Sequence, residues 1–347
     1  MIRLRTGLVA NPFARVALWV VVLALGFLVP RLLGGSEVVH TTAVLIAIFA
    51  IMSYGNDIIL SDLGEVSLGQ TVFWAAGAYV TALLVVRSGW SPLPSLVVSV
   101  IVATAIAFVL GLATIRTKEF VFSLVTYASA IIATAIVTNT AFFGGSDGIV
   151  GIPLLSFPVA GGSYTAYTNT DLWPIAYVCL LVVIAFVARF RRSRLGVTSL
   201  MTHMNTDLAT TMGVDTRRTR VLVFTLSAPI SALAGWLYAF QRSYVSPDLL
   251  SQFFLLLMLT AVIVPGKRIL LGPLVGTALL LTQQQHLSFG GDIDKIVLGG
   301  LLALVLLTSP DGLAGWARAM TRRRRPPRNQ APDPRSRASA PADLTKA

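Results

Sequence analysis

The chain has 347 residues, of which 55% are hydrophobic and only 12% are charged, and its mean hydropathy is +0.77. This composition is typical of a helical membrane protein with several spans and argues against a water-soluble enzyme. The net charge of +12 lies in segments beside apolar runs. Orientation in the membrane and attraction to anionic lipid account for it, so it does not indicate nucleic-acid binding.

Apolar runs follow one another along most of the chain, and a span needs about 20 such residues. We expect spans at residues 16–28, 42–55, 66–86, 92–115, 120–143, 172–188 and 221–241. Three shorter runs, 249–266, 269–285 and 296–310, leave room for re-entrant segments. None of the runs shows the alternation of barrel strands. The predicted fold class is therefore all-α, a polytopic membrane helical bundle with 8–10 transmembrane helices.

Basic residues are distributed unevenly between the two predicted sides of the membrane. With ten spans and both termini in the cytoplasm, 23 of the 27 Lys and Arg residues lie inside. This skew predicts cytoplasmic termini and a multi-pass protein of the plasma (inner) membrane. Residues 1–15 form the predicted cytoplasmic arm and residues 16–320 the membrane domain. The Arg- and Pro-rich tail, 321–347, is expected to be disordered.

One polar segment, residues 189–220, stands between two spans and is basic at both ends. Its middle, 195–214, is predicted to form a short amphipathic helix. The expected apolar face comprises Leu200, Met204, Leu208, Thr211 and Met212. A structured segment of this kind on the basic side of a membrane protein indicates contact with a partner. An amphipathic helix that rests on lipid is the alternative.

Motifs for chemistry within the chain are missing. The three histidines are scattered, the one cysteine is Cys179, and no metal site is expected. No phosphate-binding Gly-x-x-x-x-Gly-Lys-Ser/Thr loop is present. The carboxylates Asp57, Asp62 and Glu65 lie near one end of the second predicted span, and none forms a convincing proton relay inside a span. We therefore expect a transport subunit that is not an enzyme and draws its energy from another chain.

Four motifs carry a family resemblance. The first is L-G-E-V-S-L-G-Q at 63–70, continued by Phe73 and by G-A-Y at 77–79, and the second is G-G-S-D-G-I-V-G-I-P at 144–153. The third places Arg194-Leu195-Gly196, Asp207, Ala209 and Gly213-Val214 in the polar segment. The fourth spans 226–248, with small residues at Ala228, Ala232 and Gly235 before Y-V-S-P-D. Together they resemble the branched-chain amino acid ABC importer permeases of the LivM/LivH type.

The resemblance implies an organisation and a set of partners. The chain would pair with a second permease, identical or different, with two cytoplasmic ABC ATPases and with an extracytoplasmic substrate-binding protein. ATP and Mg would be bound by the ATPases, with no cofactor in this chain. The substrate would be a branched-chain or related hydrophobic amino acid. Another small polar solute, such as urea or an amide, and an ATP-independent carrier or channel are the alternatives.

The resemblance also implies three groups of site residues. The translocation pathway would use Ser67, Gly69, Gln70, Phe73, Gly77 and Tyr79, although small-residue helix packing explains the same pattern. The external loop would use Gly145, Ser146, Asp147 and Gly148, with a rigid loop as the alternative. The contact with the ATPase would use Leu195, Gly196, His203, Met204, Asp207, Leu208 and Gly213.

Three departures from the family pattern bear on function. Gln70 stands where histidine is usual. Apolar or neutral residues replace frequent charges at Val197, Leu200, Met204 and Thr206 of the polar segment. The sequence Pro265-Gly266-Lys267-Arg268-Ile269 replaces a glycine-rich turn, so a different local backbone shape is expected there.

Overall fold

The computed structural model describes residues 26–114, 119–159, 162–286 and 300. The predicted arm, the predicted tail, most of the first expected span and nearly all of the run 296–310 lie outside these residues. Within them the chain is mostly helical. The helices are α1 (Glu37–Asp57), α2 (Gln70–Ala82), α3 (Pro92–Thr114), α4 (Glu119–Asn139), α5 (Asn169–Phe190), α6 (Arg194–Met204), α7 (Thr206–Thr211), α8 (Thr216–Arg242), α9 (Gln252–Ile263) and α10 (Gly272–His286). Wider π-helical turns extend α1 through Ile58–Leu63 and α2 through Leu83–Arg87.

Six helical segments of the described chain are long and apolar enough to cross a membrane. They are Glu37–Leu63, Gln70–Arg87, Pro92–Thr114, Phe120–Asn139, Asn169–Phe190 and Thr216–Arg242. Each contains or overlaps an expected span, which confirms the polytopic helical fold. At 1.5 Å per residue, the 12 residues of α9 cover only about 18 Å and do not cross alone. The orientation of the termini stays a prediction.

The centre of the bundle is formed by α1, α2 and α8, which are the most buried of the six segments. Two glycines bring α2 and α8 together. A side chain at Gly77 would collide with the backbone of Ala232, and one at Gly235 would collide with the backbone of Trp74. The two backbones therefore approach more closely than larger residues would permit.

Two small antiparallel strand pairs interrupt the helical pattern. Strand β1 (Ile149–Val150) pairs with β4 (Tyr244–Val245), and β2 (Ser156–Val159) pairs with β3 (Gly162–Thr165). The first pair joins the loop after α4 to the chain that leaves α8. The glycine-rich loop is thereby fixed to the central helix α8.

The single amphipathic helix expected over 195–214 is wrong. The structure has two helices there, α6 and α7, and Asn205 between them is extended, with φ −162°. The Asn205 side chain accepts a hydrogen bond from the backbone N–H of Leu208 at 2.9 Å and so starts a new helix. Gly213, with φ +83°, follows the end of α7. The apolar residues keep a helical spacing on both sides of Asn205, which is why the sequence predicts one helix. The hydrogen bond between the Asn205 side chain and the backbone nevertheless ends α6 and starts α7.

Candidate transport and coupling site

A group of charged side chains surrounds the end of α1 that faces α6. Asp57 and Asp62 are buried, with 1% and 0% of their side chains exposed. Arg191, just after α5, donates from Nη2 to Asp57 Oδ2 at 2.6 Å and from Nε to Asp62 Oδ2 at 3.0 Å. Ser61 Oγ donates to the other oxygen of Asp57 at 2.6 Å. Burial disfavours the charged guanidinium, but the two carboxylates outweigh it and raise the pKa of Arg191.

Arg268 completes this group from the turn between α9 and α10. Its Nη2 lies 3.4 Å from Asp62 Oδ1, and its backbone N–H donates to Ser61 Oγ at 3.1 Å. Arg268 has φ +62°, a left-handed conformation that glycine adopts freely and arginine does not. At this position the backbone has a conformation suited to glycine, while the side chain carries a cation. We call Asp57, Asp62, Arg191 and Arg268 the joint cluster.

The joint between α1 and α2 is held at two further points by the polar segment. Arg220, in the first turns of α8, pairs with Glu65. The ring of His203 occupies the space where Gly64, with φ +80°, lacks a side chain. Both ends and the middle of residues 189–220 therefore contact residues 57–65. The sequence placed these carboxylates at one end of the second span, but it did not reveal their pairing with Arg191, Arg220 and Arg268.

The helices α6 and α7 present apolar side chains to the outside. Met204, Leu208 and Met212 are 77%, 58% and 67% exposed, and Val197 and Met201 on α6 are exposed as well. We call these five residues the apolar row. Thr211 is also exposed, whereas Leu200 is half-buried.

The expected ATPase-contact residues divide between two faces of this segment. His203, Met204, Asp207, Leu208 and Gly213 are exposed. Gly196 is buried against the backbone of Phe190, and Leu195 packs on the bundle core. Met204, Asp207, Leu208 and Gly213 are therefore available to a partner. His203 packs against Gly64 despite its exposure, and Leu195 and Gly196 position α6 against the membrane domain.

The expected pathway residues are buried between helices. Gln70 Nε2 donates to Ser231 Oγ at 2.8 Å and to Ser227 Oγ at 3.3 Å, which joins α2 to α8. Gln70 Oε1, Ser67 Oγ and the hydroxyl of Tyr79 have no hydrogen-bond partner among the described residues. Buried polar atoms without partners are uncommon in folded proteins.

Four of the expected pathway residues, Tyr79 among them, make packing contacts. Phe73 lies 5.4 Å from the ring of Phe224, and Tyr79 lies 5.9 Å from that of Phe143. A side chain at Gly69 would lie 2.7 Å from the carbonyl oxygen of Thr126 on α4. Gly77 lies at the crossing of α2 and α8. For these four residues the structure supplies a packing role.

The glycine-rich loop is a tightly turned structure. Gly144 and Gly145 are left-handed, and a side chain at Gly148, with φ +73°, would collide with the carbonyl of Val245. The Tyr244 hydroxyl donates to the carbonyl of Asp147 at 3.0 Å, while the Ser146 and Asp147 side chains stay exposed. The structure thus agrees with a rigid loop, and the side chains of Ser146 and Asp147 lie at its surface.

A cavity of about 260 Å³ lies between α1, α8, α9 and α10. Its lining is mostly aromatic and aliphatic, with one guanidinium. The lining residues are Thr42, Leu45, Phe49, Tyr238, Arg242, Phe253, Phe254, Leu257 and Leu281. Arg242 lies over the ring of Tyr238, 6.0 Å from its centroid, and is exposed to solvent. The sequence did not single out this cavity, since its lining comes from four separate segments.

The residues that the structure describes contain no cluster of three or more His, Cys, Asp or Glu side chains arranged for a metal ion. The six membrane-length helices of the described chain make this a multi-pass membrane protein. The family model described as branched-chain amino acid transport system / permease component matches residues 38–306. The chain belongs to this family and is the permease subunit of an ABC importer in the inner membrane.

Relatives of known function agree with this assignment. The high-affinity branched-chain amino acid transport system permease protein LivM of Escherichia coli K12 is 26% identical over 326 residues, which cover 87% of this chain and 75% of LivM. LivM of Salmonella typhimurium is 25% identical over 325 residues, with 87% and 74% covered. BraD of Pseudomonas aeruginosa is 22% identical over 289 residues, with 77% and 91% covered. No solved structure matches the chain.

Proposed function

We propose that this chain forms part of the translocation pathway for branched-chain or related hydrophobic amino acids. It works with a second permease, two cytoplasmic ABC ATPases that bind ATP and Mg, and an extracytoplasmic binding protein. The chain itself hydrolyses no ATP and holds no cofactor. The ATPases contact Met204, Asp207, Leu208 and Gly213, and their movement reaches the membrane domain through α6 and α7.

The cavity supports a hydrophobic amino acid as the substrate class. At about 260 Å³ the cavity is slightly below the roughly 300–1,000 Å³ of most ligand pockets, which suits a small solute. The rings of Phe49 and Phe254 with Leu257 offer an apolar surface, and Arg242 offers a cation for a carboxylate. Urea and simple amides would leave this apolar lining unused. The cavity is the observation that carries the substrate assignment.

The substrate is tested in proteoliposomes that contain the complete transporter and its binding protein. We expect ATP-dependent uptake of labelled leucine and none of labelled urea. Phe254→Trp narrows the cavity and should reduce leucine uptake more than alanine uptake, by about tenfold or more. Phe108→Trp, at an exposed position on α3, is the matched control. Urea uptake, or equal loss for leucine and alanine, contradicts the assignment.

The apolar row supports the contact with the ATPases. Burying one Met or Leu side chain contributes about 1.5–3 kcal/mol, so loss of one changes affinity about tenfold or more. Leu208→Asp should therefore weaken co-purification of the ATPases by at least that factor. Thr210→Asp adds the same charge at an exposed position outside the row and should have little effect. Equal co-purification of both variants contradicts docking through the row.

A further inference from the structure

We propose that the joint cluster transmits force from α6 and α7 to α1 and to the hairpin formed by α9 and α10. Arg191 and Arg268 are its positioning residues. The proposal rests on the proposed function, because it concerns how ATPase movement reaches the cavity. It assigns a role to Arg268, which occupies a turn where the family pattern has glycine. Neither residue touches substrate or nucleotide.

Charge balance is the first argument. Two carboxylates and two guanidiniums meet in one cluster, so its formal charge is zero. Asp62 lies between both arginines, with Arg191 at one oxygen and Arg268 at the other. Its side chain is fully buried, so loss of either cation would leave a carboxylate short of compensation away from water. It is therefore unfavourable to separate the end of α1 from the residue that follows α5 or from the turn between α9 and α10, and these three parts move together.

The backbone of Arg268 is the second argument. If the turn needed only its left-handed shape, glycine would supply that shape without strain. The chain instead keeps an arginine at φ +62°, and two contacts hold it: the Arg268 N–H on Ser61 and the guanidinium on Asp62. Both contacts are to the π-helical end of α1. The side chain therefore adds a connection that a glycine turn lacks.

Connectivity is the third argument. Only Arg192 separates Arg191 from Ser193, whose hydroxyl accepts the Gly196 N–H and caps α6. A push on α6 consequently acts on Arg191 and, through it, on Asp57 and Asp62. On the other side, Arg268 links Asp62 to the turn that follows α9, and α9 contributes Phe253, Phe254 and Leu257 to the cavity. The joint cluster thus connects α6 with the hairpin of α9 and α10 that lines the cavity.

The test compares transport with ATP use in the complete transporter in proteoliposomes. Arg268→Gly keeps the turn and removes the cation. We expect assembly and ATP hydrolysis within twofold of wild type, but leucine uptake per ATP lowered at least fivefold. Lys267→Gly, one residue earlier and exposed, is the matched control and should keep the wild-type ratio.

A charge series separates transmission from turn geometry. Arg268→Lys should retain most of the uptake per ATP, and Arg268→Gln should lose it. Asp62→Asn combined with Arg268→Gln restores neutrality and should be less impaired than Arg268→Gln alone. Leucine uptake per ATP that stays at the wild-type value in both Arg268→Gly and Arg268→Gln overturns the role of the joint cluster. In that case ATP-driven leucine uptake by the wild type still supports the proposed function. Absence of ATP-driven uptake by wild type overturns both.

Discussion

Gln70 shows how one buried amide organises the centre of the bundle. It replaces the histidine that is usual in the family, yet it reaches two serines of α8 from α2. A side chain at Gly55 would also meet its amide nitrogen, so three helices converge at this point. The sequence marked Gln70 as a polar residue at membrane depth. It did not reveal the partners, because Ser227 and Ser231 are more than 150 residues away.

Gln70→Leu should destabilise the protein. The change removes the amide that donates hydrogen bonds to the two serine hydroxyls. The loss should lower the free energy of unfolding by about 1–3 kcal/mol. Gln70→His retains a ring N–H that can donate and should lose less. Thermal unfolding of both variants in detergent, followed by intrinsic tryptophan fluorescence, checks the order. A midpoint for Gln70→Leu equal to that of Gln70→His would show that the hydrogen bonds contribute little.

Gly235 should tolerate no side chain. Gly235→Val would place atoms against the backbone of Trp74 and Ala78, which cannot move without separating α2 from α8. Overpacking of this kind costs about 1–3 kcal/mol or more. Gly111→Val is the control, because its nearest neighbours include the side-chain tips of Val221 and Phe224 at 3.3 and 3.4 Å. The measurement is the yield of monodisperse protein and its unfolding midpoint. A yield and midpoint for Gly235→Val no lower than those of Gly111→Val would be evidence against a tight crossing.

At the scale of elements, apolar runs and helix breaks differ in how well a sequence reveals them. The six spans were predictable because long uncharged apolar runs, most of them near the roughly 20 residues that a span needs, are visible in the sequence itself. The break at Asn205 depends on one side-chain hydrogen bond, which periodicity does not register. The joint cluster depends on residues 129 and 134 positions apart, and only the folded bundle brings them together. The candidate site was therefore predictable in its segments and not in its contacts.

Asn205 should govern the rigidity of α7. Asn205→Ala removes the cap and costs the six-residue helix about 1 kcal/mol, whereas Asn205→Asp keeps an oxygen acceptor. Hydrogen exchange at residues 206–211 should accelerate in the alanine variant and stay close to wild type in the aspartate variant. Weaker ATPase co-purification should accompany the faster exchange, because the apolar row is then less ordered. Unchanged exchange in Asn205→Ala would mean that α7 is held by its contacts with α8.

At the scale of the whole molecule, the position of α5 makes the predicted orientation testable. Residues Tyr167 and Asn205 lie beyond opposite ends of this 22-residue helix, and Tyr167 is 74% exposed. In a Cys179→Ala background, Tyr167→Cys should react with a membrane-impermeant thiol reagent in whole cells. Asn205→Cys should react only after the cytoplasmic side is opened. Labelling of both sites from the same side would refute the crossing by α5 and, with it, access of the ATPases to the apolar row.

The helices α1 and α5 run parallel and are fastened at both ends. At one end Glu37 accepts hydrogen bonds from the backbone N–H of Asn169 at 2.8 Å and from the Thr170 hydroxyl at 3.2 Å. At the other end Arg191 holds Asp57 and Asp62. Between these contacts, α1 contributes 20 residues and α5 contributes 22. Each stretch measures about 30 Å, which equals the thickness of the hydrocarbon core. Such a pair is a strut of set length. One alanine inserted in the middle of α5 would rotate the part of the helix that follows it by about 100°. The contacts of Glu37 at one end and of Arg191 at the other could then not both form. The matched lengths of α1 and α5 therefore set the bilayer thickness that this part of the chain fits.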